Sequence, residues 1–458
     1  MVRVFEFYRL FRICRGNPQM LWYPGMGAID IRAQKPTSRT DDTMSAMIQF
    51  PLDLPDVEVL KTELSAKGHL VITVESTLEG TRCRRCGQEI KEPHGHDRPL
   101  RLRHLPVLER PVYIEIRPKR YRCPDCSDHP TTTQRCSWYE PNSPHTRAFE
   151  QHAMRSLINS TVTDVSYKLG LTAEAVEGIL NRRVAQTVDW ASLKVLGVLG
   201  LDEIALKKGH RDFVTIVSAQ PPGGELTVLA VLPDRCKETV KSFLASIPER
   251  LRATITRACT DMYDGFINAV REVLPHARVV VDRFHVAKAY RGCADQLRKQ
   301  EIKRLKAELP KEEQATLKGT LWPFRKPWAE LNPEEREKLQ RLFAHSPALK
   351  AAHLLREILT LIFNEPLTKA KAYDYLEGWA SLVKQSGLTC FDSFLTTLDE
   401  RLDEITNYFL DRQSSGFVEG LNNKIKVLKR RCYGIFSPGR LFQRLHLDLA
   451  GYRIFGCA

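Results

Sequence analysis

The stretch VLGVLGLDEIAL, Val195 to Leu206, decides how the chain is read. It is an apolar run of strand length that carries Asp202 in its second half. Such a run belongs inside a sheet, and a carboxylate buried there is costly unless something compensates its charge. Working outward, FVTIVSA (213–219) and LTVLAVL (226–232) read as two further strands, with Gly209 and the PPGG of 221–224 in the connections. A helix over 237–247 follows. Next come the strand TITRACTD ending at Asp261, a helix from about Tyr263, and the strand ARVVVD ending at Asp282.

The order is therefore β-β-β-α-β-α-β, and a three-strand meander followed by α/β units is how a ribonuclease H-like fold begins. In such a sheet the first and fourth strands are neighbours and a late helix crosses them. From His285 to about Leu395 the sequence is helical and heavily charged, which reads as an insertion. One more helix, FVEGLNNKIKVLKRR (417–431), then resumes the core. Its helical periodicity separates an apolar stripe, Val418, Leu421, Ile425 and Leu428, from a face bearing Glu419, Asn422, Asn423, Lys426 and Arg430. A surface ion pair of Glu419 with Lys424 or Lys426 is the plain reading of that acid. The alternative is convergence with Asp202 and Asp261. Two carboxylates about 4 Å apart repel by roughly 4 kcal/mol at an effective dielectric of 20. Three need cations, and oxygen-only ligands favour Mg²⁺ or Mn²⁺. Two such ions suit in-line attack on a phosphodiester.

Upstream, STVTDVSYKLGLTAEAVEGILNRRV (160–184) spaces Val162, Val165 and Leu169 as one helix. Gly170 turns the chain, and Thr172 caps a second helix with Val176, Ile179 and Leu180 on its inner side. This is the pattern of a helix-turn-helix, with Arg182 and Arg183 as candidate DNA contacts. Earlier still, Cys83 with Cys86 and Cys123 with Cys126 form two C-x-x-C pairs among twelve cysteines. Paired knuckles of this kind close a tetrahedral four-sulfur Zn²⁺ site, in outline a zinc ribbon, with His94, His96 and Cys136 as substitute ligands. The excess of 69 Lys and Arg over 55 Asp and Glu gives a formal charge of +14, which favours nucleic acid as partner. No run is long and apolar enough for a membrane span, and a cytoplasmic, nucleoid-associated protein is expected. Residues 1–43 fit no domain pattern, and Met44 resembles a natural start.

GLDE around Asp202, TDMYDGF around Asp261, PHARVVVDRFHVAK around Asp282 and SSGFVEGLNNKIKVLKRRCYG around Glu419 together resemble the DDE transposases of bacterial insertion sequences, of the ISL-three type. The resemblance runs from about residue 75 to the C-terminus. It implies a catalytic triad of Asp202, Asp261 and Glu419 on Mg²⁺ (or Mn²⁺). Asp282 and His285 match the D-x-x-H signature of related Mutator-type transposases and are expected to support the ligands. Asp264 is the alternative to Asp261. Asn422, Lys426 and Arg430 are expected to hold the strand being cut. The partners implied are double-stranded DNA, both terminal inverted repeats and target, with the chain acting as a homo-oligomer on DNA. A catalytically silent DNA-binding regulator and a metal-dependent nuclease are the other readings. Trp322 reads as core, with stacking on a base as the alternative.

The expected architecture is multidomain α/β: a ribonuclease H-like catalytic core interrupted by an all-α insertion, preceded by a zinc ribbon and a helix-turn-helix. Its segments are an extension (1–43), an N-terminal segment (44–75), the ribbon (76–142), the helix-turn-helix (143–192), the core's first part (193–285), the insertion (286–400) and the core's second part (401–458).

Overall fold

The computed structural model describes residues 28–29, 50–206, 213–412, 416–435 and 437–456. Nearly all of the 1–43 extension, Met44, Gly209, and Ser414 and Ser415 of the late motif lie outside the described residues. The chain divides into two compact units, up to Ala153 and from Met154.

In the first unit the alternation of VEVLKTEL and LVITVES produces a hairpin, Val57–Leu64 with Leu70–Ser76. Its second strand pairs in parallel with Arg110–Ile116, which pairs in turn with Leu100–Val107. Ile72, Val74, Leu102, Val112 and Ile114 close a core with Trp138 and Tyr139. The sequence reading set a 44–75 segment beside a 76–142 ribbon; strand pairing joins the two. The chain between the two cysteine knuckles leaves the ribbon and completes the sheet begun by that segment. The ribbon itself is a pair of short strands, Thr81–Arg82 with Glu89–Ile90, beside a three-stranded sheet of Glu92–His96, Lys119–Arg122 and Thr131–Thr133.

Near the start of the second unit, after the helix Arg147–Leu157 ends, stand two helices, α1 (Val162–Leu169) and α2 (Ala173–Arg183). Gly170 takes φ 61° between them, a left-handed conformation in which a side chain is disfavoured. Thr161 and Thr172 accept hydrogen bonds from the amides of Asp164 and Ala175 and so cap each start. Five strands follow: β1 (Gly197–Ala205), β2 (Phe213–Gln220), β3 (Thr227–Leu232), β4 (Ile255–Thr260) and β5 (Arg278–Val281). They lie in the order β3-β2-β1-β4-β5, with β1, β2 and β3 antiparallel and β1, β4 and β5 parallel.

Strand alternation sends the side chains of β1 to two faces. Leu199 and Leu201 enter a core with α3 (Lys237–Ser246) and α4 (Asp264–Val273). Gly200, Asp202 and Ile204 share the other face, where α8 (Gly416–Arg431) and α9 (Pro438–Phe455) lie. Between β5 and α8 the described residues are helical, led by α5 (Arg283–Glu308), α6 (Pro347–Asn364) and α7 (Lys369–Gln385). Trp322 stands 67% exposed there with Arg325 over its ring, so the expectation that it belongs to the core is wrong. The core also resumes with two helices rather than one. α9 is apolar on several sides, and Leu441, Phe442, Leu445 and Leu447 are all buried.

Gly200 is where α8 meets the sheet. A Cβ there would lie 2.6 Å from a Val418 methyl and 2.9 Å from the Phe417 ring. Gly200→Ala should therefore destabilise the protein by about 1–3 kcal/mol in urea melts, as expected for overpacking. An unchanged midpoint would show that α8 does not depend on this approach.

Candidate active site

Parallel pairing puts Gly200 beside Cys259 and Thr260 beside Val281. Carried one or two residues on, the same registers place Asp202, within β1, level with Asp261 and Asp282, which directly follow the carboxyl ends of β4 and β5. Crevices at such strand ends are the usual ligand sites of open α/β sheets. β4 and β5 end just before their acids, whereas β1 runs three residues past Asp202 to Ala205.

Asp202 accepts the amide of Glu203 at 2.7 Å on Oδ1, and Asn422 of α8 donates its side-chain amide to Oδ2. Asp261 accepts the amide of Tyr263 at 3.0 Å. Burial pushes the Asp261 carboxyl above the ordinary carboxylate range; the negative charges of Asp202 and Glu203 add to that, while the Tyr263 amide and His285 oppose it. These groups are thus close enough to act on one another. Asp282, 4% exposed, accepts the amide of Phe284 at 3.0 Å and caps the start of α5. Its position orients that helix, which carries His285 one turn on.

Glu419 lies one turn before Asn422 on the same face of α8. It lines a cavity of about 400 Å³ together with Asp282, Phe284 and Arg356. The ion pair expected on the plain reading is not formed: Lys424 donates to the Asp448 carbonyl at 2.5 Å instead. The structure brings Asp202, Asp261 and His285 together and sets Glu419 and Asp282 on a shared wall. It does not close the three carboxylates into one tight ligand set. Among the described residues, only the four ribbon cysteines bring three or more ligand atoms within 4.8 Å of one another.

Two expectations change. Asn422, expected to hold DNA, is turned inward to Asp202. Its Oδ1 is buried without a partner, an orphaned acceptor beside two acids. An oxygen-only set of this kind, in which burial and then the neighbours' charge raise one carboxyl, fits a hard divalent cation. Asp264 is engaged elsewhere, in an ion pair with Arg401. Two residues escaped the sequence reading. Glu203 accepts from Arg235 at 2.9 Å, and that guanidinium lies 5.2 Å from the Tyr263 ring centre. Glu203 was legible as the second acid of GLDE. Arg235, in a turn far along the chain, carried no pattern.

Lys426 and Arg430 are exposed along α8, one turn apart. Arg182 and Arg183 close the last turn of α2.

In the ribbon, Cys83 and Cys126 have sulfurs 4.0 Å apart and Cys86 and Cys123 3.7 Å apart. Zinc–thiolate bonds of about 2.3 Å in a tetrahedron require sulfur separations of about 3.8 Å. The geometry therefore fits zinc. The amides of Cys86 and Arg85 draw the Cys83 thiol down to about 6, whereas burial and the neighbouring thiols push Cys126 up to about 12. Four sulfurs this close cannot all ionise without a cation. Of the substitute ligands, His94 and His96 are exposed, and Cys136 is buried in the other core with Trp138.

A transposase family of the ISL3 type matches residues 199–445, more than half of the chain. The helix-turn-helix domain of transposase family ISL3 matches 134–184, and a zinc-finger of transposase IS204/IS1001/IS1096/IS1165 matches 79–126. The transposase for insertion sequence element IS1001 of Bordetella parapertussis is 26% identical over 83% of this chain and 92% of its own length. That for IS1557 of Mycobacterium tuberculosis is 26% identical over 81% and 86%. Among solved structures, the Drosophila P element transposase strand transfer complex covers 70% of this chain and 94% of its own, with 12% identity and a TM-score of 0.36. With a zinc ribbon, a helix-turn-helix and a DDE domain in that order, the chain belongs to the ISL3 family of transposases.

Proposed function

We propose that the chain binds the terminal inverted repeats of its own element through the ribbon and helix-turn-helix, then cleaves and rejoins DNA at Asp202, Asp261 and Glu419. The observation that carries this is the row of aspartates across three parallel strands, Asp202 within β1 and Asp261 and Asp282 just past the ends of β4 and β5, faced by a helix that fixes one of them through Asn422. The strand order supports a ribonuclease H-like core, and the helices after β5 support an insertion within it.

On this reading Asp202, Asp261 and Glu419 hold two divalent ions, Mg²⁺ or Mn²⁺. When bound, these supply activation of a water or 3′-hydroxyl and stabilisation of the leaving oxygen. Asn422 holds the Asp202 carboxylate in one rotamer. Asp282 fixes the start of α5, which keeps His285 beside Asp261. Lys426 and Arg430, spaced along the outer side of α8, face the strand being cut, while Arg182 and Arg183 contact the recognised repeat. The chain works as an oligomer on DNA.

The test is incubation of the full chain with duplexes taken from the DNA bordering its gene, with Mg²⁺, with Mn²⁺ and with chelator. Nicks at the repeat ends and joined products are expected with either metal and none with chelator. Binding without nicking in both metals would leave a silent DNA-binding protein. Nicks never followed by joining would leave a nuclease.

A further inference from the structure

Where α8 ends, a cleft of about 840 Å³ separates its last turn from the start of α1. Four guanidinium groups line it: Arg430 and Arg431 from α8, Arg440 and Arg444 from α9. Two are answered by acids. Arg440 pairs with Glu177 of α2 at 2.8 Å, and Arg431 pairs with the buried Asp448.

The other two form no ion pair among the described residues, although the Asp448 charge also acts on Arg444 and Asp164 of α1 lines the same cleft. Arg444 is 2% exposed and donates through Nη2 to the carbonyls of Leu157 (3.3 Å) and Ser160 (2.5 Å). Its Nε and Nη1 have no partner, and neither do Nε of Arg431 and Nη1 of Arg440. Arg430 is exposed and forms no ion pair among the described residues. A guanidinium cannot shed its proton to escape burial, so a buried one with idle N–H groups favours an anion close by. The start of α1, capped by Thr161, adds the positive end of a helix dipole to the same cleft.

A structural account also exists. Arginines in a last turn suit the negative end of their own helix, and Arg444 braces the chain before α1. That account explains neither the cleft nor the exposed Arg430 at its edge.

We infer that this cleft seats a backbone phosphate of the DNA strand running from the helix-turn-helix to the acidic row. The inference rests on the proposed function but assigns a site that the acidic residues do not need. Arg430 stands eleven positions beyond Glu419 on one helix, about 16 Å at 1.5 Å per residue. At 3.4 Å per nucleotide step, that is about five base pairs from the reacting bond. The occupied cleft ties recognition to cutting, because α2 and α8 both reach it through α9: Gln443 of α9 donates to Asn181 (3.2 Å) and to the Val184 carbonyl (2.8 Å) at the end of α2.

Cys432 is a native reporter, since it lines the cleft directly after α8. Its alkylation in the full chain is followed peptide by peptide, alone, with a duplex from the DNA bordering the gene, and with inorganic phosphate at matched ionic strength. Arg430→Gln, on the surface, keeps the fold where an Arg444 variant would endanger it. The duplex should slow alkylation of Cys432 in wild type at least several-fold, inorganic phosphate should not, and Arg430→Gln should lose the protection. The variant's slope of log K against log salt should fall by about 1, as for one lost phosphate contact. Protection by inorganic phosphate alone would assign a free anion and overturn the DNA reading of the cleft. Wild-type slope and protection in Arg430→Gln would overturn it as well, together with the strand contact given to Arg430, while leaving cleavage at Asp202, Asp261 and Glu419 standing. Failure of wild type to bind any duplex would overturn both.

Discussion

Asp202→Asn, Asp261→Asn and Glu419→Gln should each reduce metal-dependent cleavage at the repeat ends by about a thousandfold or more while end binding stays near wild type. Each substitution keeps side-chain shape and removes one charge, and a metal clamp contributes several kcal/mol of charge stabilisation in the transition state, which is a factor of that size in rate. Asp202→Asn has a second effect, because the new amide faces the donor of Asn422 and one of the two must turn away. Neighbouring acids calibrate the result. Asp282→Asn can still cap α5 and should lose only about 10–100-fold, as groups that orient ligands do. Asp264→Asn loses the Arg401 ion pair, which leaves it near wild type in cleavage. Gel assays of nicking and joining, run beside binding titrations, separate these outcomes. A Glu419→Gln protein that joins ends at wild-type rate would return α8 to a basic surface helix with one stray acid.

The second large effect concerns the ribbon. Cys123 is fully buried and its sulfur lies 3.7 Å from that of Cys86. Cys123→Ser should lower bound zinc from about one ion per chain to none. Apparent zinc-binding energies of about 10–16 kcal/mol for small four-ligand sites exceed what the short strands here supply. Proteolysis should then cut within 79–133 while the second unit stays resistant, and sequence-specific end binding should be lost. Metal analysis with limited proteolysis checks both parts. A variant that retains stoichiometric zinc would show that the four sulfurs are not its ligands.

Much of this arrangement was legible because it depends on local pattern. Val418, Leu421, Ile425 and Leu428 are all buried, as the helical stripe required. The turn at Gly170 and the cap at Thr172 are where their residue types call for them. Asp261 and Asp282 stand where apolar strand runs stop, and Asp202 stands inside such a run, as the sequence has them. What was not legible depends on partners distant in sequence. Leu70–Ser76 and Arg110–Ile116 pair across the first cysteine knuckle, and nothing in either strand names the other. α9 lacked a single stripe because it is covered on several sides, by the sheet and by the residues around α1 and α2. The inward turn of Asn422 depends on a contact across 220 residues.

The last helix has a genetic consequence. Gln443, Arg444 and Asp448 of α9 hold the chain from Leu157 to Val184, and the Glu419 helix is anchored to the same segment through Asp448. A gene copy shortened by some twenty codons at its 3′ end would still encode Asp202, Asp261 and Glu419, yet it would lose Gln443, Arg444 and Asp448 and with them the ties from α9 to the chain around α1 and α2. Decay of an element from that side would silence it outright instead of producing a truncated competitor for its own ends.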